Sequence, residues 1–273
     1  MPRQVEFAGT TAVVTGGASG IGKGMARAFL SAGCNVIIAD VDGGALATAA
    51  KELGVLGVQT DVADSGSVSA LADRAMKEYG EIHVICNNAG VGPFSSLSDM
   101  TLADWRWVLG INLHGVMHGV HAFLPLLERN ADWGHVVNTS SMSVMLSPPN
   151  TAAYVASKAA VLALTEVLAA ELRAAESLVG ATALIPGTVR TNIKDSLRSR
   201  PASGPSGLYE VDLGAIGRPF RWLEPEDVGA MVLDAIRADQ LYLLTHPEYT
   251  PQIADRHKLI AAGTPGPEQQ ASG

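Results

Sequence analysis

The chain reads as a single α/β domain: a doubly wound sheet of about seven parallel strands, with helices on both faces. Three observations predict this. Short apolar runs alternate with helix-length segments along most of the 273 residues, a glycine-rich turn joins the first run to the first helix, and neither an internal repeat nor a linker marks a second domain. Strands that are apolar throughout, rather than at every second residue, belong to sheets covered on both sides, and parallel strands need crossover helices.

Taken in order, residues 11–15 form the first strand and 24–32 the first helix. Residues 35–40 and 56–61 follow as strands, with a helix over 44–53 between them and another over 65–79 after them. The fourth strand is 82–87. A long apolar helix over 104–127 precedes strands at 135–139, 181–185 and 241–244, and the helix spanning 161–172 is apolar nearly all round. Helices with too much apolar surface for one sheet face are buried on a second side. The 104–127 and 161–172 helices therefore predict a subunit interface, in a homodimer or homotetramer. The domain is expected over 1–262, with a flexible tail at 263–273. Residues 192–222 interrupt the alternation with Arg200-Pro201, Gly204-Pro205 and Gly217-Arg218-Pro219, which predicts a lid over a functional site.

Composition excludes several classes of partner. Acidic residues outnumber basic ones 27 to 19, a net charge of −8, which argues against nucleic acid or an anionic membrane as partner. No uncharged apolar stretch reaches the roughly 18 residues of a transmembrane helix. The segment Met1-Pro2-Arg3-Gln4-Val5-Glu6 lacks a signal-peptide core, and Cys34 and Cys86 alone make no disulfide framework. A cytoplasmic protein with two core thiols is expected.

The turn Thr15-Gly16-Gly17-Ala18-Ser19-Gly20-Ile21-Gly22 has the form of a phosphate cradle. Gly16 allows a sharp turn, Gly20 and Gly22 with Ile21 between them let a pyrophosphate and the helix approach the backbone, and the free amides of the helix N-terminus face the phosphates. An ordinary tight turn is the alternative, but the position after a first strand and before a helix favours dinucleotide binding. Asp40 ends the second strand 18 residues after Gly22. A carboxylate there accepts from ribose hydroxyls and repels a 2′-phosphate, and neither Ser19, Val41 nor Asp42 offers such a phosphate a cation.

Tyr154 and Lys158 stand four apart at the start of a helix and share a face. A phenol is a weak base near neutral pH, and a neighbouring ammonium favours its ionised form. Ser141 lies 13 residues before Tyr154, placed to hold a substrate oxygen beside it. Its neighbour Ser140 competes for that role.

With these residues in this order, the chain resembles the short-chain dehydrogenases/reductases over nearly its whole length. The resemblance is carried by Thr15-Gly16-x-x-x-Gly20-x-Gly22, Asp61-Val62, Asn87-Asn88-Ala89-Gly90, Asn112, Ser141, Tyr154-x-x-x-Lys158 and Pro186-Gly187-Thr188-Val189-Arg190-Thr191. It implies a Rossmann-type fold, NAD as cofactor, and hydride exchange with a secondary alcohol or ketone. Tyr154 would be the general acid/base, Ser141 would orient the substrate, and Lys158 would bind the nicotinamide ribose and lower the tyrosine pKa. Asn112 would hold a relay water. Asp61 and Val62 would flank the adenine, Asn88, Ala89 and Gly90 would line the cleft, and Pro186, Gly187, Val189 and Thr191 would meet the carboxamide end. The chain departs from many members after the last strand, where Thr245-His246-Pro247-Glu248-Tyr249 and another helix replace a glycine-rich segment. Parts of the sequence are most similar to the subgroup that oxidises benzylic alcohols of lignin-derived aromatics.

Two other functions use related residues. An epimerase or dehydratase would carry a Gly-x-x-Gly-x-x-Gly loop and a substrate domain, and a non-catalytic NAD-binding regulator would not keep Asn112, Ser141, Tyr154 and Lys158 together. His114, His118 and His121 share a helix face, but Gly115 replaces the glutamate of a zinc-protease helix, so a polar seam is expected and no metal. Trp105, Trp107 and Trp133 read as core or interface. A bulky, mainly hydrophobic substrate is expected between Met142, Val144, Met145, Leu146 and Pro148 on one side and Ile193, Leu197, Leu208 and Tyr209 of the lid on the other. An aryl carbinol is favoured over a steroid. Lys194, Arg198 and Arg200 would meet an anionic group or face solvent.

Overall fold

Val13 and Val14 sit side by side in the first strand and point into two different cores. In the computed structural model, which describes residues 5–201, 204–216 and 220–263, Val13 packs with Ile37, Ile85 and Val136 beneath one layer of helices. Val14 packs with Ile38, Cys86 and Val137 beneath the other. The period of two along a strand sends neighbours to opposite faces, so both faces need cover.

Seven parallel strands supply that frame: β1 (Thr11–Thr15), β2 (Asn35–Asp40), β3 (Leu56–Gln59), β4 (Val84–Asn87), β5 (Gly134–Thr139), β6 (Val179–Ile185) and β7 (Tyr242–Leu244), in the order β3-β2-β1-β4-β5-β6-β7. One face carries α1 (Gly20–Ser31), α2 (Gly43–Leu53) and α8 (Pro225–Arg237), through Met25, Phe29, Leu46, Val228, Val232 and Ile236. The other carries α3 (Ser65–Tyr79), α5 (Gly115–Leu127) and α7 (Ala152–Ala174), through Leu71, Phe123, Leu127, Leu168 and Leu172. The strand order reverses between β1 and β4, and a crevice opens there at the carboxyl ends of the strands.

Several sequence expectations need adjustment. The single helix expected over 104–127 is α4 (Leu102–Leu109), a π turn (Gly110–His114) and then α5. The extra residue of the π turn carries Asn112, whose fully buried amide bonds outside the helix. α1 starts at Gly20 rather than residue 24, so its first turn lies inside the glycine segment. The two cysteines are buried core thiols, and burial pushes both pKa values up. Trp133 is core, against Phe7 and His83, whereas Trp105 and Trp107 are partly buried near α7. His118 bonds the Val62 carbonyl at 2.9 Å and its ring lies 6.4 Å from that of His114, but His114 and His121 are exposed, so the three do not form the expected seam. Among the described residues α7 alone is long and apolar enough to cross a membrane, and it packs on β6 with Lys158, Thr165 and Leu168 buried.

The interruption after residue 191 holds two short 3₁₀ helices (Asn192–Ser199 and Leu213–Ile216) stitched across the crevice rather than a loose loop. Ser196 Oγ accepts from Gly92 N at 3.0 Å, and Phe94 and Tyr209 exchange backbone hydrogen bonds of 2.9 and 2.8 Å. Asp104, fully buried at the start of α4, accepts from Ser206 Oγ and Gly207 N and pairs with Arg200 at 2.8 Å. A buried carboxylate left unpaired is strongly destabilising, so these contacts hold the segment closed. Arg200, expected to meet an anion or solvent, is therefore a structural partner. Ala202, Ser203, Gly217-Arg218-Pro219, the N-terminal Met1–Gln4 and the tail from Thr264 lie outside the described residues.

After β7 come a 3₁₀ turn (Pro247–Tyr249) and the expected extra helix, α9 (Thr250–Ala262). With Tyr249 and Ile253, this region covers the short helix α6 (Ser143–Leu146), and Met142 and Val144 join a small core with Leu162 and Ile185. They are thus core residues and not the pocket wall the sequence suggested, because the turn after β5 points them onto β6.

Candidate active site

The glycine turn adopts the backbone its composition calls for. Gly16 and Gly20 have φ of 64° and 50°, in the left-handed region that side chains disfavour. A β-carbon on Gly22 would lie 2.1 Å from the Gly16 carbonyl oxygen, so Gly22 sits behind the turn and lets α1 pack on it. Ser19 is extended and its side chain does not cap α1, so the first amides of the helix face the crevice without a side-chain acceptor from that residue.

Asp40 holds the rim of this cradle. Its carboxylate accepts from Ala18 N and Asp42 N, both at 3.2 Å. Asp61 is exposed at the end of the next strand and accepts from Ala63 N at 2.9 Å, while Val62 is buried beside it. On the far side of the crevice, Thr15 Oγ1 accepts from the amides of Asn88 and Ala89 at 2.9 and 3.1 Å, and Asn88 Nδ2 donates to the Thr15 carbonyl at 3.0 Å. The turn after β4 is thereby locked to the end of β1. A β-carbon on Gly90 would meet Asn112 Oδ1 at 3.2 Å and Lys158 Nζ at 3.3 Å, so only glycine fits comfortably there.

The resulting cleft has a volume of about 630 Å³. It brings together Gly16, Ser19, Gly20, Ile21, Asp40, Asp61, Val62, Asn88, Ala89, Gly90, Tyr154, Lys158, Pro186 and Thr191 from segments far apart in sequence. Gly22, Asn112, Ser141, Gly187 and Val189 are not on its lining. Gly187 gives its amide to Thr245 Oγ1 at 3.1 Å, and Val189 is buried against Leu223. Asn112 Oδ1 accepts from Val91 N at 2.8 Å, and its Nδ2 donates to Val91 O and Ser157 Oγ at 2.9 and 3.1 Å. Its side chain therefore braces the loop after Gly90 rather than reaching into the cleft.

Tyr154 and Lys158 occupy successive turns at the start of α7. Lys158 is buried, and its Nζ donates to the Thr139 carbonyl at 2.8 Å, a neutral acceptor at the end of β5. Burial lowers its pKa from 10.5 to about 8. Tyr154 is partly buried. Desolvation pushes its phenol above the ordinary value, and a hydrogen bond with Ser141 pulls the other way. The influence that favours its ionised form here is Ser141. The rival serine has another role, since Ser140 Oγ donates to the Lys158 backbone carbonyl at 2.8 Å and ties α7 to β5.

Sequence reasoning missed some of the lining. Val91, Trp107, Ile111 and Ser196 also face the cleft, beside the expected Ile193. A β-carbon on Gly92 would lie 3.1 Å from Ile193 Cδ1 and 3.6 Å from the Tyr154 ring, so Gly92 and the lid's Ile193 flank the tyrosine. Ile193 was legible as a lid residue. Val91, Trp107 and Ser196 gave no signal, because their positions depend on the π turn and on the closed lid. Among the described residues no three His, Cys, Asp or Glu side chains form a group able to hold a metal.

Comparison with known proteins agrees with this geometry. The short chain dehydrogenase family matches residues 10–202. The chain is 34% identical over 271 residues to 1-deoxy-11-beta-hydroxypentalenate dehydrogenase from Streptomyces exfoliatus, covering 95% of this chain and 92% of that one. It is 31% identical to the C alpha-dehydrogenase of Sphingobium sp. strain SYK-6, covering 89% and 82%. Among solved structures, a short chain dehydrogenase/reductase from Burkholderia phymatum in complex with NAD superposes with a TM-score of 0.87 at 38% identity, covering 96% of this chain and 98% of the other. The protein thus belongs to the short-chain dehydrogenase family, oxidoreductases that act on hydroxyl and keto groups.

Proposed function

We propose that the protein is an NAD(H)-dependent oxidoreductase that interconverts a bulky, mainly hydrophobic secondary alcohol and its ketone, with Tyr154 as general acid/base. The observation that carries this reading is the phenol of Tyr154 on the cleft, one helical turn from the buried Lys158, with Ser141 acting to lower its pKa. NAD as cofactor is supported by the NAD complex of the similar Burkholderia protein and by the cradle itself. The left-handed Gly16 and Gly20, the α1 amides and the Asp40 carboxylate suit a dinucleotide with free ribose hydroxyls, and Asp40 repels a 2′-phosphate. When bound, the nicotinamide supplies or takes up a hydride.

The chain's own residues handle the proton and the geometry. Ser141 and Tyr154 hold the substrate oxygen by two hydrogen bonds, which fixes the reacting carbon. In oxidation the phenolate of Tyr154 takes the hydroxyl proton, and in reduction the phenol gives it back. Lys158 holds the nicotinamide ribose and, while charged, favours the phenolate. The lid excludes water through Ile193 and Ser196 above Tyr154. Val91, Trp107, Ile111 and Ile193 give the cleft an apolar wall, which suits the aryl carbinol that the sequence resemblance favours.

The same reading includes a dimer. α5 and α7 leave a groove lined by Met117, Val120, His121, Leu124, Ala163 and Val167, with Met117 45% and Val167 57% exposed. A second copy related by a two-fold axis would bury this self-complementary apolar face.

The test of function is the rate of NADH formation on an alcohol panel. 1-Phenylethanol is expected to exceed 2-propanol in kcat/KM, and Tyr154→Phe to remove turnover while NADH still binds. A wild-type rate with Tyr154→Phe, or a preference for 2-propanol, would contradict the reading. Cofactor choice gives a second expectation. The wild type should prefer NAD to NADP, and Asp40→Ser should narrow that gap; equal kcat/KM with both cofactors in the wild type would exclude the proposed role of Asp40. The third concerns pH. The Ser141 hydrogen bond favours phenolate, so Ser141→Ala leaves desolvation unopposed and raises the tyrosine pKa further. The rise of oxidation rate with pH, and the fall of reduction rate, should both move to higher pH in Ser141→Ala. Unmoved limbs in both directions would show that Ser141 does not set this equilibrium.

A further inference from the structure

Beyond the last strand, two polar residues are completely enclosed. His246 is 0% and Thr245 1% exposed, and both lie at the carboxyl end of β7. His246 Nε2 is 3.1 Å from the Arg221 carbonyl oxygen, and His246 Nδ1 is 2.7 Å from Thr245 Oγ1. A carbonyl only accepts, so Nε2 carries the proton, and Nδ1 of the neutral ring is then an acceptor. The Thr245 hydroxyl therefore donates to Nδ1, and its oxygen accepts from Gly187 N at 3.1 Å. Every hydrogen bond in this file has one direction: Gly187 to Thr245, Thr245 to His246, His246 to Arg221.

We propose that Thr245 and His246 are positioning residues for the reaction, acting by fixing the two hinges of the lid and the cleft wall between them. The inference rests on the reading of the cleft as the cofactor and substrate site. The lid leaves the wall at Thr191 and returns at Arg221–Leu223. Both limbs meet at one place, because Leu223 N donates to Thr188 O at 3.1 Å, Arg190 N donates to Leu223 O at 3.0 Å, and Thr188 Oγ1 donates to the same Arg221 carbonyl that His246 holds. The imidazole also lies on Gly187, where a β-carbon would come within 2.6 Å of its Cγ. The wall is thus tied at Gly187 from one end of the file and at the returning limb from the other. Its far end, Thr191, closes on Gly20 of the cradle, where a β-carbon would sit 3.0 Å from the threonine methyl. Loss of the file leaves buried partners unpaired and gives slack to both hinges at once. Tyr154, Ser141 and Lys158 lie on other elements and keep their own contacts.

The experiment compares the full-length wild type with His246→Ala, His246→Gln, Thr245→Val and Thr245→Ser. NADH dissociation constants come from fluorescence titration, kinetics from the best alcohol of the panel, and hydrogen exchange from the amides of 187–191 and 221–223. His246→Ala and Thr245→Val should weaken NADH binding and raise KM, each about ten-fold, and speed exchange at both hinges. The pH profile of kcat should stay in place, because the tyrosine is untouched. Thr245→Ser should restore wild-type behaviour, and His246→Gln should restore part of it by donating to the Arg221 carbonyl. If His246→Ala does not fold, Thr245→Val carries the test, since it keeps the shape and removes only the hydroxyl. Wild-type NADH affinity with unchanged exchange at both hinges in Thr245→Val would overturn the proposal, as would an equal loss with Thr245→Ser. A wild type that binds no NADH would overturn the proposed function instead, and the hinge exchange would still judge the file.

Discussion

Lys158 places an ammonium at the floor of a parallel sheet, almost cut off from water, with the Thr139 carbonyl as its protein acceptor at 2.8 Å. A drop in pKa from 10.5 to about 8 corresponds to about 3 kcal/mol of strain on the charged form. That strain is tolerable only if α7 cannot shift, and much of the surrounding structure has that effect. Ser140 holds the backbone of α7 at Lys158 itself. Deeper in, Asn87 Nδ2 donates to Asn138 Oδ1, Asn138 Nδ2 donates to Thr165 Oγ1, and Thr165 donates to Val161 O, a buried file that binds β4 and β5 to α7. Asn138 and Thr165 are paired within this file, whereas the buried Asn87 Oδ1 has no hydrogen-bond partner among the described residues.

The second half of the site is built from the same constraint on the opposite wall. The π turn directs Asn112 at the backbone of Val91 and at Ser157, and Ser157 Oγ donates to the Tyr154 carbonyl at 2.7 Å. The loop after β4 and the first turn of α7 are therefore joined through one amide side chain. The tyrosine is supported at its backbone by the Asn112–Ser157 link, and Ser141 lowers the pKa of its phenol. The segment after Thr191 adds the remaining wall and is held by Asp104, so that wall depends on a carboxylate that is not on the cleft lining.

Much of this was legible in the residues. The alternation of apolar runs gave the seven parallel strands and their two covers, and the glycine spacing gave the cradle, because both reflect local rules of period and φ. The Tyr154–Lys158 pair was legible from helical spacing, and Ser141 from its distance to Tyr154. What stayed hidden depends on contacts between distant segments. Nothing local announces that residues 110–114 form a π turn, that Met142 and Val144 turn onto β6, or that Asp104 receives the lid from about a hundred residues away. The packing of Gly187 was hidden for the same reason: its neighbour is His246, which the chain brings back only after β7.

The central claim is that Lys158 is desolvated and held on a neutral carbonyl before any ligand arrives. Its most direct test is an NMR titration of the lysine side chains in the cofactor-free protein, with the Lys158 signal assigned by its loss in Lys158→Met. A midpoint at about 8 is expected. A midpoint near the ordinary 10.5 would show that the ammonium remains solvated, and would contradict the arrangement on which the rest of the site depends.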